Sequence, residues 1–297
     1  MRAGGRALLA ALGLLGLTSG GQQHQLPLTF ALVGDVSVAR GVAQVNAADW
    51  GATLAALREA LRADATFGNL ESPLTTAPHT GGGLDLRAPP AGAAALFAFT
   101  HLGVENNHAH DGGAAGQRQS RRVLREHGLT PVTRALSITE VGGVPVAWAA
   151  FFDDGRTPPP LSAIREGARQ AQLVVVGVHW GVEYGPVTAR QRHLARELAS
   201  AGADLIVGSG PHVLQGHERL GQTLVLYSLG NLLLDQPYPD TRVGAVVRAT
   251  RVAQGPHGAQ GWSACAVPTR YRAGRVSSAN AQERPRILSR LGLAACG

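Results

Sequence analysis

The amino-acid sequence predicts an α/β fold, and three observations carry that expectation. Short apolar runs recur along the chain, and each stops at Gly or a polar residue. Segments between several of them place apolar residues at spacings of three and four, the pattern of a helix with one buried face. The 297 residues are 44% hydrophobic and 16% charged, which suits a globular protein and excludes a disordered one.

The first residues read as targeting rather than fold. Arg2 and Arg6 precede an apolar run from Ala7 to Leu17, and Thr18, Ser19 and Gly20 follow, so residues 1–20 have the form of a secretory signal peptide. The run falls short of the ~20 apolar residues that span a bilayer. The expectation is an exported protein, periplasmic or extracellular, with an uncleaved N-terminal anchor as the lesser alternative. Cys265 and Cys296 are the only cysteines. One pair is no disulfide framework, and whether they bond stays open at this level.

The elements follow in order. The run 29–33 gives way to Gly34-Asp35. Residues 52–62 set Leu54, Leu57 and Leu61 on one helical stripe. The run 65–67 leads to Gly68-Asn69-Leu70-Glu71, and the segment 97–104 leads to Asn106, Asn107, His108, His110 and Asp111. The run 173–178 leads to His179-Trp180-Gly181. Thr188 and Gln191 then form a capping box, with Leu194, Ala195, Leu198 and Ala199 as the buried face and Gly202 as the stop.

The apolar 205–207 runs into Gly208-Ser209-Gly210-Pro211-His212, and 223–227 into Ser228-Leu229-Gly230-Asn231. From about 241 the segments "GAVVRATRV" and "ACAVPTRYRAGRV" alternate as antiparallel strands do. Residues 277–297 carry no clear signal and are expected as a C-terminal tail to one domain over 28–276.

Chemistry-bearing residues fall at strand ends. Asp35, Glu71, His179 and His212 each follow an apolar run closely, as does the cluster around Asn107 and His108. Parallel α/β sheets gather ligands at the carboxyl edge, so these positions are expected to converge on one edge. Such a mixed set of oxygen and nitrogen donors suits a divalent cation such as Zn, Mn or Fe. Singly, each has an ordinary role: a turn aspartate, a carboxylate before Pro73, a core histidine beside Trp180, or loop asparagines. Ordinary roles do not explain why every cluster follows a strand.

Five ordered blocks add a resemblance: "LVGDVSVARGV" (32–42), "FGNLESPLT" (67–75), "ENNHAHDGGAAG" (105–116), the stretch 178–218 ending in "IVGSGPHVLQGHE", and "LYSLGNLLLD" (226–235). Together they resemble the CapA family of bacterial capsule and poly-gamma-glutamate synthesis proteins, from about residue 28 to 236 and on through the strands to about 276. The resemblance implies a layered α/β/β/α sandwich of the calcineurin-like metallophosphoesterase type. It implies Asp35, Glu71, Asn107, His179 and His212 as ligands of one or two divalent ions, Mn, Zn or Fe. It also implies that His108 protonates a leaving group or binds a phosphoryl oxygen, with Asp111 orienting it. Arg40 is a candidate anion contact, since a guanidinium fork matches phosphate or carboxylate.

The chain departs from the expected patterns at three places. His-Pro-His is usual where it reads Gly210-Pro211-His212, Glu105 replaces a small residue common before the two asparagines, and Ser37 stands where calcineurin-like enzymes tend to carry histidine. His110 and His217 are nearby candidates to fill the gap. Thr188 to Gln191 and Ser228 to Asn231 stay outside the expected site, because helix capping and a strand-to-turn transition account for them.

The formal charge of +7 comes from arginine alone, as the chain has no lysine. Scattered arginines, 5% aromatic residues and no nucleic-acid motif argue against nucleic acid as a partner. An acidic envelope polymer or a phosphate-bearing substrate fits the charge, with envelope assembly proteins as further partners. Two functions follow: a metal-dependent hydrolase of phosphoesterase type acting in capsule or poly-gamma-glutamate synthesis, or a non-catalytic component that binds acidic polymer during capsule assembly and export.

Overall fold

A computed structural model describes residues 27–252 and 261–297, so the expected signal peptide lies outside the described residues. No helix among the described residues is long and apolar enough to cross a membrane. In chain order the first strands are β1 (Leu28–Val36), β2 (Ala65–Leu70), β3 (His101–Gly103), β4 (Thr130–Val132), β5 (Ser137–Val141), β6 (Val144–Phe152) and β7 (Leu173–His179). They are followed by β8 (Leu205–Ser209), β9 (His217–Leu220), β10 (Thr223–Leu226), β11 (Asn231–Leu233), β12 (Val243–Val252), β13 (Gly261–Arg272) and β14 (Arg275–Ser278). The helices are α1 (Arg40–Asn46), α2 (Gly113–Glu126), α3 (Leu161–Gln170), α4 (Ala189–Ser200) and α5 (Glu283–Leu291).

Among the described residues the strands form two sheets. The first runs β14-β13-β12-β1-β2-β3-β4, with β11 also beside β1, and the second runs β5-β6-β7-β8-β10-β9. β1 to β4 are mutually parallel, as are β6, β7, β8 and β10. Successive side chains of a strand point to opposite faces, and here both faces are buried. Phe30 and Leu32 of β1 meet Val175 and Val207 between the sheets, while Ala31 and Val33 pack outward with Val42 and Leu124 of the flanking helices. Val174 and Val176 of β7 pack outward against Ile164 of α3 and Leu194 and Leu198 of α4. Helices, sheet, sheet, helices: the expected layered α/β/β/α sandwich is present, and double burial is why its strands read as unbroken apolar runs.

Three expectations are corrected. Residues 52–62 form no α-helix: 3-10 turns span Trp50–Thr53 and Ala55–Leu57, although Leu54, Leu57 and Leu61 are all buried. Asp49 accepts from the Ala52 amide and the Thr53 hydroxyl donates to the Trp50 carbonyl, local bonds that compete with α-helical ones. Residues 277–297 are no loose tail. They complete β14 and form α5, whose Ile287 and Leu291 enter the core between the sheets, and Cys296 is disulfide-bonded to Cys265 with the Cα atoms 4.9 Å apart. Finally, the candidate site residues do not line one sheet edge. Asp35 lies in β1 of the first sheet and Glu71 and His108 come after its strands β2 and β3, whereas His179 ends β7 of the second sheet and His212 comes after β8.

Candidate metal centre

The carboxyl ends of the two parallel regions face each other, and their pairing registers set the donors in rows. On the first sheet Asp35 pairs with Asn69 on one side and with Asn231 on the other. On the second, His179 pairs with Ser209. His179 shares its strand face with Leu173 and Val175, and Asn69 shares its own with Ala65 and Phe67, so strict alternation delivers both to the space between the sheets. Asp35 breaks that rule. Counted from Ala31 and Val33 it belongs on the outer face, but the β1–β2 register shifts between Leu32 and Asp35, and this irregularity turns its carboxylate inward. Gly34 makes the turn feasible, since a Cβ there would lie 2.0 Å from the Gly230 carbonyl oxygen.

Asp35, Glu71 and His212 form the core of the centre. Each is buried, and their donor atoms lie within 4.8 Å of one another. His212 Nδ1 is 3.3 Å from Asp35 Oδ2, and its Nε2 is 3.6 Å from Glu71 Oε1. Asn231 fixes that ring. Its Nδ2 donates to the Thr241 carbonyl and to Gln236 Oε1, each at 3.0 Å, which turns its Oδ1 to accept from His212 Nδ1 at 3.0 Å. A cation that displaces the ring proton would therefore meet the lone pair on Nε2, the atom nearer Glu71. Glu71 Oε2 is buried with no hydrogen-bond partner. A buried carboxylate oxygen left unpaired is costly, and two carboxylates with one imidazole make a donor set that fits a divalent cation. The residues present therefore fit the metal that the resemblance implies.

The charges of this cluster are interdependent. Burial raises the Asp35 carboxyl, but the hydrogen bond and charge of His212, the charge of His179 and the Gly210 amide together hold it below the usual carboxylate range. Burial pushes Glu71 up to about 8, with His212 opposing and Asp35 adding to the rise. Burial pulls His212 down, yet Glu71 and Asp35 overcome it and raise the imidazole to about 10. For His179 burial wins over Asp35 and lowers the ring to about 4.

His179 sits beside the core rather than in it. Its Nδ1 lies 3.6 Å from Asp35 Oδ1 and 3.2 Å from both Asn69 Nδ2 and Ser209 Oγ. Asn107, expected as a ligand, is exposed, and the preceding Asn106 enters the buried network instead. Asn106 Nδ2 donates to the Leu70 carbonyl at 2.9 Å and to Asn69 Oδ1 at 3.2 Å, and its own Oδ1 receives the His108 amide at 3.1 Å. His108 Nδ1 lies 2.9 Å from Asp111 Oδ2, which also accepts the Leu86 amide at 2.7 Å. His79 and Asp85 lie close to Asp111, with Asp85 ion-paired to Arg87 at 2.7 Å. Arg40 stands outside the core, 3.7 Å from Asp235 and exposed.

Gly210 occupies the place where the resemblance implies a second histidine. Its φ is +105°, and a Cβ would lie 2.7 Å from the Trp180 carbonyl oxygen. Its amide donates to Asp35 Oδ2 at 3.0 Å, so a backbone N–H reaches the centre at this position. The two nearby histidines do not replace it. His110 is exposed beside Gln117, and His217 Nδ1 is 2.7 Å from the Leu291 carbonyl, docking α5. Asn69, Asn231 and Ser209 are the positions the strand-end pattern does not single out. Their one sequence signal is a polar residue beside a buried apolar run: Asn69 is next to last in β2, Ser209 closes β8, and Asn231 opens β11.

Known proteins share the segment that carries this geometry. Residues 29–236, which hold the whole cluster, match the family described as bacterial capsule synthesis protein PGA_cap. The chain belongs to that family. Among curated relatives, the PGA biosynthesis protein CapA of Bacillus subtilis is 36% identical over 176 residues, covering 50% of this chain and 46% of the relative. The capsule biosynthesis protein CapA of Bacillus anthracis is 34% identical over 179 residues, covering 50% and 44%. This PGA_cap chain thus aligns with somewhat under half the length of each relative. A hypothetical protein from Thermus thermophilus superposes with a TM-score of 0.47 at 16% identity, covering 80% of this chain and 99% of that one.

Proposed function

We propose that this PGA_cap chain is an exported protein of capsule or poly-gamma-glutamate synthesis whose centre acts as a metal-dependent hydrolase of phosphoesterase type. The observation that carries the reading is the buried Asp35, Glu71 and His212 group with one carboxylate oxygen unpaired. When bound, a divalent ion such as Mn, Zn or Fe supplies Lewis acidity and a water of lowered pKa. The chain supplies the rest. Asp35, Glu71 and His212 hold the ion, with Asn69, Asn231 and the Gly210 amide fixing the angles of Asp35 and His212. His108, whose Nδ1–H is held by Asp111, hands a proton from Nε2 to the leaving oxygen. The substrate is an acidic envelope polymer or a phosphate-bearing precursor of one.

A second reading keeps the pocket without the reaction: a polymer-binding component of capsule assembly and export. It is favoured by Gly210, which brings an amide where a histidine is usual. Elemental analysis of protein purified without chelator separates the two, alongside hydrolysis of a generic phosphodiester. The expected result is about one equivalent of metal or more with turnover, both lost in Asp35→Ala. Metal without turnover transfers support to the binding component. Protein that stays metal-free after Mn and Zn are supplied removes the basis for a hydrolase.

A further inference from the structure

We propose that residues beyond the family match build, together with Arg40, a binding trough for a linear polycarboxylate. A recess of about 760 Å³ is lined by Arg40, Arg242, Arg270 and Arg272, and by Asp235 and Gln236. A second recess of about 270 Å³ shares Arg242 and Arg270 with it and adds Arg286 and Arg290. Apart from Arg40, every one of these arginines lies after residue 236, where the family match ends. These arginines come from the 3-10 turn Pro239–Arg242, from β13 and from α5.

The arginines are in excess over the acids that face them. Arg40 pairs with Asp235, Arg270 with Glu283, and both Arg286 and Arg290 with Asp240. Arg242 and Arg272 are exposed and have no carboxylate partner within 4.0 Å among the described residues. Arg270 and Arg272 lie on one face of β13 with the buried Tyr271 between them, so their backbones stand roughly 7 Å apart. That is a comb of guanidinium forks, each suited to a carboxylate.

Charge spread over two joined recesses suits a chain better than a single small anion. One exposed arginine–carboxylate pair contributes only a few-fold in affinity. A polymer with a carboxylate on every unit engages several pairs at once and gains by effective concentration. Single-stranded nucleic acid is the competing occupant: Tyr271 of the lining is buried, but the exposed Tyr238 follows the lining Pro237 and stands 5.0 Å from the exposed Tyr184, so bases have rings to stack on and displacement decides between the two.

The trough opens next to the centre. Gln236 lines it, accepts from Asn231 Nδ2 and donates to the Tyr184 hydroxyl at 3.4 Å, and Asn231 holds His212. The Tyr184 ring lies 6.2 Å from the His212 ring. Gln236 and Asn231 thus stand between a chain lying along the arginines and His212. The inference rests on the proposed function and adds where its acidic polymer lies.

The test uses the full chain and fluorescein-labelled poly-γ-glutamate, followed by anisotropy at low and high salt. Arg242→Gln with Arg272→Gln should weaken binding on the order of tenfold and flatten its salt dependence. Arg165→Gln with Arg196→Gln, the same charge change on α3 and α4, should leave binding near that of the parent. Equal loss in both pairs would show diffuse attraction and overturn the trough, as would an unchanged affinity in the first pair or no binding at low salt. Displacement by polyphosphate or by single-stranded DNA at lower concentration than by unlabelled poly-γ-glutamate would overturn the assigned occupant. Metal content read on the same samples keeps the two ideas apart. A metal-free protein whose binding depends on Arg242 and Arg272 removes the hydrolase and keeps the trough, whereas a metal-loaded one indifferent to them removes only the trough.

Discussion

Asn231 acts on the centre from behind His212. Its side chain is buried, donates to Thr241 and Gln236, and accepts from His212 Nδ1. Asn231→Ala leaves the ligands in place but frees the ring to turn and strands the Thr241 carbonyl. Metal affinity should fall about 10 to 100-fold, as is usual when the partner behind a ligating histidine is lost, while the circular dichroism spectrum stays that of the parent. An unchanged metal dissociation constant would show that packing alone orients His212. Gly210 makes the complementary point. A histidine there could not keep this backbone, because φ is positive and the Trp180 carbonyl fills the space a Cβ needs. A histidine at position 210 would therefore require a different loop conformation in this chain.

At the level of elements, α4 shows what local pattern encodes well. The Thr188 hydroxyl accepts the Gln191 amide at 3.1 Å, and Gln191 Oε1 accepts the Thr188 amide at 2.9 Å. Gln191 Nε2 continues to Gln215, whose own amide reaches the Gly185 carbonyl, so the cap also steadies the loop over the centre. Thr188→Ala should cost about 1 kcal/mol in urea unfolding, with metal content unchanged. A capping box is legible because its partners are three residues apart. The leucine stripe at 54, 57 and 61 is equally local, yet it marks burial without fixing the helix type, and Asp49 and Thr53 drew it into 3-10 turns. The inward turn of Asp35 was not legible at all, because a register shift belongs to the pairing of β1 with β2 and to neither strand alone.

On the scale of the whole molecule, His101 joins the sheets. It lies in β3 of the first sheet, stacks on Trp148 of the second with ring centroids 3.9 Å apart, and bonds Thr139 at 3.0 Å. Burial lowers its pKa from 6.5 to about 4. A group depressed in the folded state contributes stability that is present above its unfolded pKa and is lost as pH falls through the folded one. Stability should therefore decline as pH drops from about 6.5 towards 4, with His101 accounting for roughly 2 kcal/mol by pH ~4.5. His101→Gln should remove that share of the loss in urea titrations at the two pH values, and an equally steep decline in the variant would acquit His101.

What the sequence determined by itself was local: where buried strands end, which polar residues follow them, the α4 cap, and the alternation that marks β12 to β14. Those features arise from contacts among neighbours, so periodicity and spacing record them. The tertiary structure alone decided that the strand ends belong to two facing sheets, that Asn106 enters the buried network, that the Gly210 amide meets Asp35, and that Cys265 and Cys296 bond. Each depends on which distant strands lie side by side and in what register, a choice made by packing two apolar faces together, which no stretch of a few residues can specify.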